Sequence, residues 1–103
     1  MGISYRGVIA VGYTYSEAED IMNSTDTELD FYDWSEDEGL ERSGPYYDAD
    51  TDDCIFGEVV VSSSEYSTVE LSANLPEQIG NAVVKLEKQF GVTPKVYLMA
   101  EGS

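Results

Sequence analysis

The sequence predicts an α+β domain: a mainly antiparallel sheet of 4–5 strands with two helices on one face. Three observations carry that expectation. Apolar residues alternate along segments at both ends of the 103-residue chain and in its middle. Two segments with helical periodicity, each opened by a capping pattern, separate them. With an acidic stretch set aside, the order is strand, helix, strand, strand, helix, strand, the ferredoxin-like βαββαβ order. One domain over residues 1–103 fits the length, with an acidic strand-loop insertion at about 26–53.

Residues 3–13, ISYRGVIAVGY, read as a strand. Ile3, Tyr5, Ile9, Val11 and Tyr13 fall on one side and Val8 and Ala10 on the other. Both faces are apolar in the middle, as in a central strand covered on both sides. Gly7 and Gly12 mark close packing or a bulge. Thr14-Tyr15-Ser16-Glu17 is a capping box. A helix over about 15–23 follows, with Ala18, Ile21 and Met22 as its apolar stripe. Asn23-Ser24-Thr25-Asp26 ends it.

Thr27–Trp34, TELDFYDW, alternates. The pattern predicts a half-exposed strand, Leu29 and Phe31 inward, Glu28, Asp30, Tyr32 and Trp34 outward. Residues 35–53 are polar and turn-rich, the character of a long functional loop. Ser35 and Glu38 have the spacing to cap a helical turn over 35–41. Cys54–Val61 reads as a strand with Val59–Val61 as its apolar centre. Tyr66–Leu71 reads as its antiparallel hairpin partner. Asn74-Leu75-Pro76-Glu77 has capping-box spacing with Pro in the first turn. The helix it opens runs over about 75–90. Leu75, Ile79, Ala82, Val83, Leu86 and Phe90 form its face, and Gly91 is its left-handed terminator. Pro94–Ala100 reads as the last strand.

Charge is the unusual property. The chain carries 21 acids and five bases, a formal charge of −16. Fifteen of those acids lie between Glu17 and Asp53 beside one base, Arg42, leaving −14 in that stretch. So few bases, unclustered, argue against direct nucleic-acid binding and against an anionic membrane surface. No apolar run is long enough to span a bilayer. No signal-peptide pattern is read at the N-terminus, and Arg6 breaks the myristoylation motif. Cys54 has no second cysteine to pair with, which fits a reducing, cytoplasmic setting.

Catalytic signatures are missing. There is no histidine, the usual general base and a common metal ligand. A lone Cys54 without a histidine partner reads as a small buried apolar residue. No glycine-rich loop precedes a helix to hold a phosphate. The expectation is therefore a non-enzymatic protein with no cofactor. Asp48-Ala49-Asp50-Thr51-Asp52 opens like a calcium loop. The sixth position is Asp53 rather than Gly, and the twelfth is Val59 rather than Glu. A cation-binding module centred on Asp48–Asp53 is the runner-up reading. A general acidic adaptation to high salt is a third, and the asymmetry of the charge counts against it.

The acidic segment is interleaved with Phe31, Tyr32, Trp34, Tyr46 and Tyr47, and aromatics are the usual anchors of interfaces. Strand residues two apart rise about 6.6 Å, close to the spacing of successive phosphates. Concentrated negative charge is costly unless a cationic surface meets it. The candidate partner-binding residues are Glu28, Asp30, Tyr32, Asp33, Trp34, Glu36, Asp37, Glu38, Tyr46, Tyr47, Asp48, Asp50, Asp52 and Asp53. In size, charge and layout across this acidic third, the chain resembles the small acidic DNA-mimic inhibitors of phages and mobile elements. These include uracil-DNA glycosylase inhibitors, anti-restriction proteins and anti-CRISPR proteins. It is also similar to the acidic immunity proteins and antitoxins that block nucleases. The resemblance implies occlusion of a basic groove on a nuclease or CRISPR effector inside an infected bacterial cell. An edge strand would also allow a homodimer.

Overall fold

The computed structural model describes residues 5–44, 53–63 and 70–102. They form an α+β fold with one four-stranded antiparallel sheet and three helices. The elements in chain order are β1 (Tyr5–Thr14), α1 (Tyr15–Asn23), α2 (Phe31–Asp37), β2 (Glu41–Ser43), β3 (Ile55–Ser62), α3 (Leu75–Phe90) and β4 (Lys95–Gly102). The sheet order is β2-β3-β1-β4.

The central strand is β1, as its two apolar faces require. It pairs with β3 from Val8 opposite Ser62 to Thr14 opposite Ile55, with a register shift between Ile9 and Ala10. On its other side it pairs with β4 without a break, from Tyr5 opposite Gly102 to Gly12 opposite Lys95. Gly12 faces Gly57. A Cβ on either residue would run into backbone of the facing strand, the Val11 carbonyl oxygen for Gly57 and the Phe56 carbonyl oxygen for Gly12. The lack of a side chain at both positions is what lets these strands approach.

The capping box at α1 is complete. The Glu17 amide donates to Thr14 Oγ1, and the Thr14 amide donates to Glu17 Oε1. Helix α3 ends at Gly91 in the left-handed conformation, φ 73°. Its start differs from expectation. Asn74 occupies the cap position, yet its side chain makes no capping bond. Leu75 instead donates its amide to the Ser72 carbonyl.

The main core gathers Val11 and Tyr13 of β1, Ala18 and Ile21 of α1, Phe31 and Trp34 of α2, Phe56 of β3, Ala82 and Leu86 of α3, and Cys54. A smaller cluster, Val8, Ala10 and Ile55, has Val59, Tyr97 and Met99 packed against it. In β3 the deepest residues are Ile55 and Phe56, and Val59–Val61 are only half-buried. Tyr13 joins the core to the far end of α3. Its hydroxyl donates to the Val92 carbonyl at 2.6 Å and approaches the Leu86 carbonyl at 3.3 Å. Burial, reinforced by the Glu87 and Glu17 carboxylates, pushes its phenol up to about 12.

Two expectations need correction. The strand over 27–34 is not formed. Residues 31–37 are helix α2, and Ser35 lies inside it rather than capping a turn over 35–41. Strand β2 was unforeseen and exists by pairing with β3, Glu41 opposite Gly57 through Ser43 opposite Ile55. The hairpin partner at 66–71 falls mostly outside the described residues; Glu70 and Leu71 are not in a strand.

Candidate functional site

Helix α2 is the one helix in the described part of the acidic strand-loop segment at 26–53, and local chemistry explains its formation. Asp30 is the N-cap: its Oδ1 accepts from the Asp33 amide at 2.9 Å. Asp33 in the first turn adds a second favourable anion at the positive end of the helix. Phe31, Trp34 and Ser35, at spacings of three and four, form the buried face.

Aromatic packing fixes that face. The Phe31 ring lies 4.9 Å from Phe56 edge-on and 4.7 Å from Tyr15. Trp34 lies 5.8 Å from Phe90 and 6.0 Å from Phe31. At the far end, Gln89 Nε2 donates to both the Glu38 carbonyl and its Oε2, each at 3.0 Å. The helix is thus held against the core by rings and against α3 by an amide.

The outward face is acidic. Asp26, Glu28, Asp30, Asp33, Glu36 and Asp37 are exposed, and Glu38 is half-buried at the C-cap. Tyr32 is 45 % exposed, with its ring edge-on to Phe31. Asp33 neighbours Glu36 and Asp37 at helical spacings of three and four, where like charges destabilise a helix. Glu36 and Asp37 also sit at the negative end of the dipole, and the last turn holds no base. Folding alone would not select acids there.

The structure sorts the sequence-derived site residues into four groups. Glu28, Asp30, Tyr32, Asp33, Glu36, Asp37 and Glu38 are brought together on or beside α2. Trp34 is not an outward anchor: it is only 3 % exposed, because the helical turn that leaves Tyr32 outside turns Trp34 inside. Asp53 is exposed at the turn before β3. Tyr46, Tyr47, Asp48, Asp50 and Asp52 lie outside the described residues, and with them most of the calcium-like run. Among the described residues no group of three or more potential ligands could hold a metal ion.

One feature escaped the sequence. Asp20 is exposed in the middle of α1. It lines, with Glu17, Ile21, Ser24, Phe90 and Val92, a shallow cleft of about 260 Å³ between α1 and the end of α3. Asp20 takes no part in the capping box, which was the signal available. The cleft combines apolar walls with two carboxylates, a shape suited to the aliphatic stem and charged head of Lys or Arg.

Comparison with known protein families, curated protein sequences and solved structures returns no match. No described helix is long and apolar enough to cross a membrane.

Proposed function

We propose that this chain is a non-enzymatic acidic inhibitor, phage-encoded and acting in the cytoplasm of a bacterial cell. It mimics nucleic acid and occludes the basic DNA- or RNA-binding groove of a host defence protein, such as a CRISPR effector, a restriction enzyme or another nuclease. The observation that carries this reading is the outward face of α2. Glu36 and Asp37 are kept where both the dipole and their neighbour Asp33 disfavour them. A cationic surface would convert that cost into binding energy and fast, steered association. Tyr32, exposed beside the acids, supplies contact area that salt does not screen. The cleft beside Asp20 offers a second place for a basic side chain.

The ferredoxin-like reading of the fold goes with this proposal. With α2 taken as part of the insertion, the elements run β-α-β-β-α-β, and the all-antiparallel order β2-β3-β1-β4 is compatible with it. Packing of Ala18, Ile21, Ala82 and Leu86 with Val11, Tyr13 and Phe56 in one cluster supports α1 and α3 sharing a face.

The test is a pull-down against a basic nuclease and a CRISPR effector at low and high salt. Binding should weaken steeply with salt and be lost on combining Asp30→Asn, Asp33→Asn, Glu36→Gln and Asp37→Asn. Binding that ignored salt and survived this combination would overturn the proposal.

A further inference from the structure

Among the described strands β4 is outermost, and none of them pairs along its outer side. Sheet edges are usually protected by a bulge, a proline, a charge pointing inward or a very short strand. The opposite edge, β2, is three residues long. In contrast β4 has eight residues, no proline within it and an unbroken register against β1. Two apolar residues on one of its faces are also uncovered: Leu98 is 82 % exposed and Val96 is 48 % exposed, whereas Tyr97 and Met99 on the other face are packed. Leu98 borders an open cleft of about 250 Å³ that Ile9, Val61 and the exposed Leu71 also line. An apolar strip therefore runs from the edge onto the sheet.

Charge selects the occupant. The chain carries −16, so two copies repel each other across most of their surface. Strand β4 is an exception, with one Lys, one Glu and no net charge. Its pattern is also self-complementary. In an antiparallel pair centred on Leu98, Leu98 faces Leu98 of the partner subunit and Val96 faces Ala100 of the partner subunit. Lys95 then falls opposite Glu101 of the partner subunit, and the two-fold repeats this pairing at the other end.

We infer that this edge is a homodimer interface: β4 pairs antiparallel with β4 of a second copy about a two-fold at Leu98, continuing the sheet across both chains. This does not depend on the proposed function, and it has the opposite response to salt. Salt screens the repulsion between two polyanions and strengthens self-association, whereas it weakens capture of a basic partner.

Sedimentation equilibrium on the full chain tests it. The mass should rise to twice that of the chain with concentration, at lower concentration when salt is high. Leu98→Asp should remain at the single-chain mass with an unchanged circular dichroism spectrum. The register is read separately. Facing residues across an antiparallel pair have Cα atoms about 4.5–5.5 Å apart, within disulfide range. Leu98→Cys should therefore cross-link to itself on mild oxidation. Val96→Cys, which faces position 100, should not, and neither should the wild type, whose Cys54 is buried. A chain that stays at single mass at all concentrations and salts overturns the inference. So does a dimer that survives Leu98→Asp, or one in which Leu98→Cys fails to cross-link.

Discussion

The Tyr13 hydroxyl donates to the Val92 carbonyl at 2.6 Å, tying the central strand to the turn beyond α3. This phenol must stay protonated to donate. Its folded pKa, about 12 against the ordinary 10.0, lies above the unfolded value. The stability it contributes is therefore complete below pH 10 and is lost as pH rises from 10 through 12, by at most about 1.4 kcal/mol per pH unit. Tyr13→Phe should cost about 1 kcal/mol at neutral pH. The difference from wild type should shrink above pH 10, read from urea unfolding at neutral and alkaline pH.

The two ends of α2 should respond oppositely to loss of charge. Asp30→Ala removes a cap and should destabilise by about 1 kcal/mol. Glu36→Gln with Asp37→Asn removes acids from the negative end and should stabilise, by about 0.5–1 kcal/mol at low salt and less at high salt. Thermal melts at two ionic strengths measure both. An acid pair whose removal lowers the melting temperature would show a structural role for Glu36 or Asp37.

The two neighbouring aromatics should separate fold from binding. Trp34→Ala opens the core between Phe31 and Phe90 and should cost about 3–5 kcal/mol. Tyr32→Ala should cost well under half of that, since the ring is half outside. If the proposed function holds, Tyr32→Ala weakens capture of the basic partner in a protein that melts nearly as wild type does. Urea unfolding and the pull-down, run on both variants, give the comparison.

Gly57→Ala should be the most damaging single-methyl change, because its Cβ meets the Val11 backbone rather than a movable side chain. A loss of about 2 kcal/mol or more is expected. Gly80→Ala is the control: no atom lies near its added methyl. Inside a helix it should stabilise by up to about 1 kcal/mol. Denaturant midpoints of the two variants decide it.

Much of this fold was legible because independent signals agreed. Strand β1 had apolar residues on both faces. Helix α1 had a capping box as well as a stripe. Helix α3 had a stripe over about four turns and a terminating glycine. In α2 the signals conflicted. Leu29 and Phe31 fit a strand; Phe31, Trp34 and Ser35 fit a helix; and aromatic residues favour strands. A seven-residue helix is too short for its period to win. The Asp30 cap decided the matter locally, and packing on Phe56 completed it. Strand β2, Glu-Arg-Ser, has no apolar signal at all and forms only because the edge of β3 is there to pair with. Among the described acids of the candidate site, Glu28, Asp30, Asp33, Glu36, Asp37 and Asp53 were legible as surface groups, because unpaired carboxylates avoid burial. Which aromatic stood beside them was not, since a strand groups Tyr32 with Trp34 and a helix separates them.

Three inward residues hold α2 in place, Phe31, Trp34 and Ser35. The other four of its seven positions, Tyr32, Asp33, Glu36 and Asp37, are exposed. Such a helix can be rewritten on its outer side while the inner side stays fixed. The acidic face can therefore change in sequence without the fold having to be solved again.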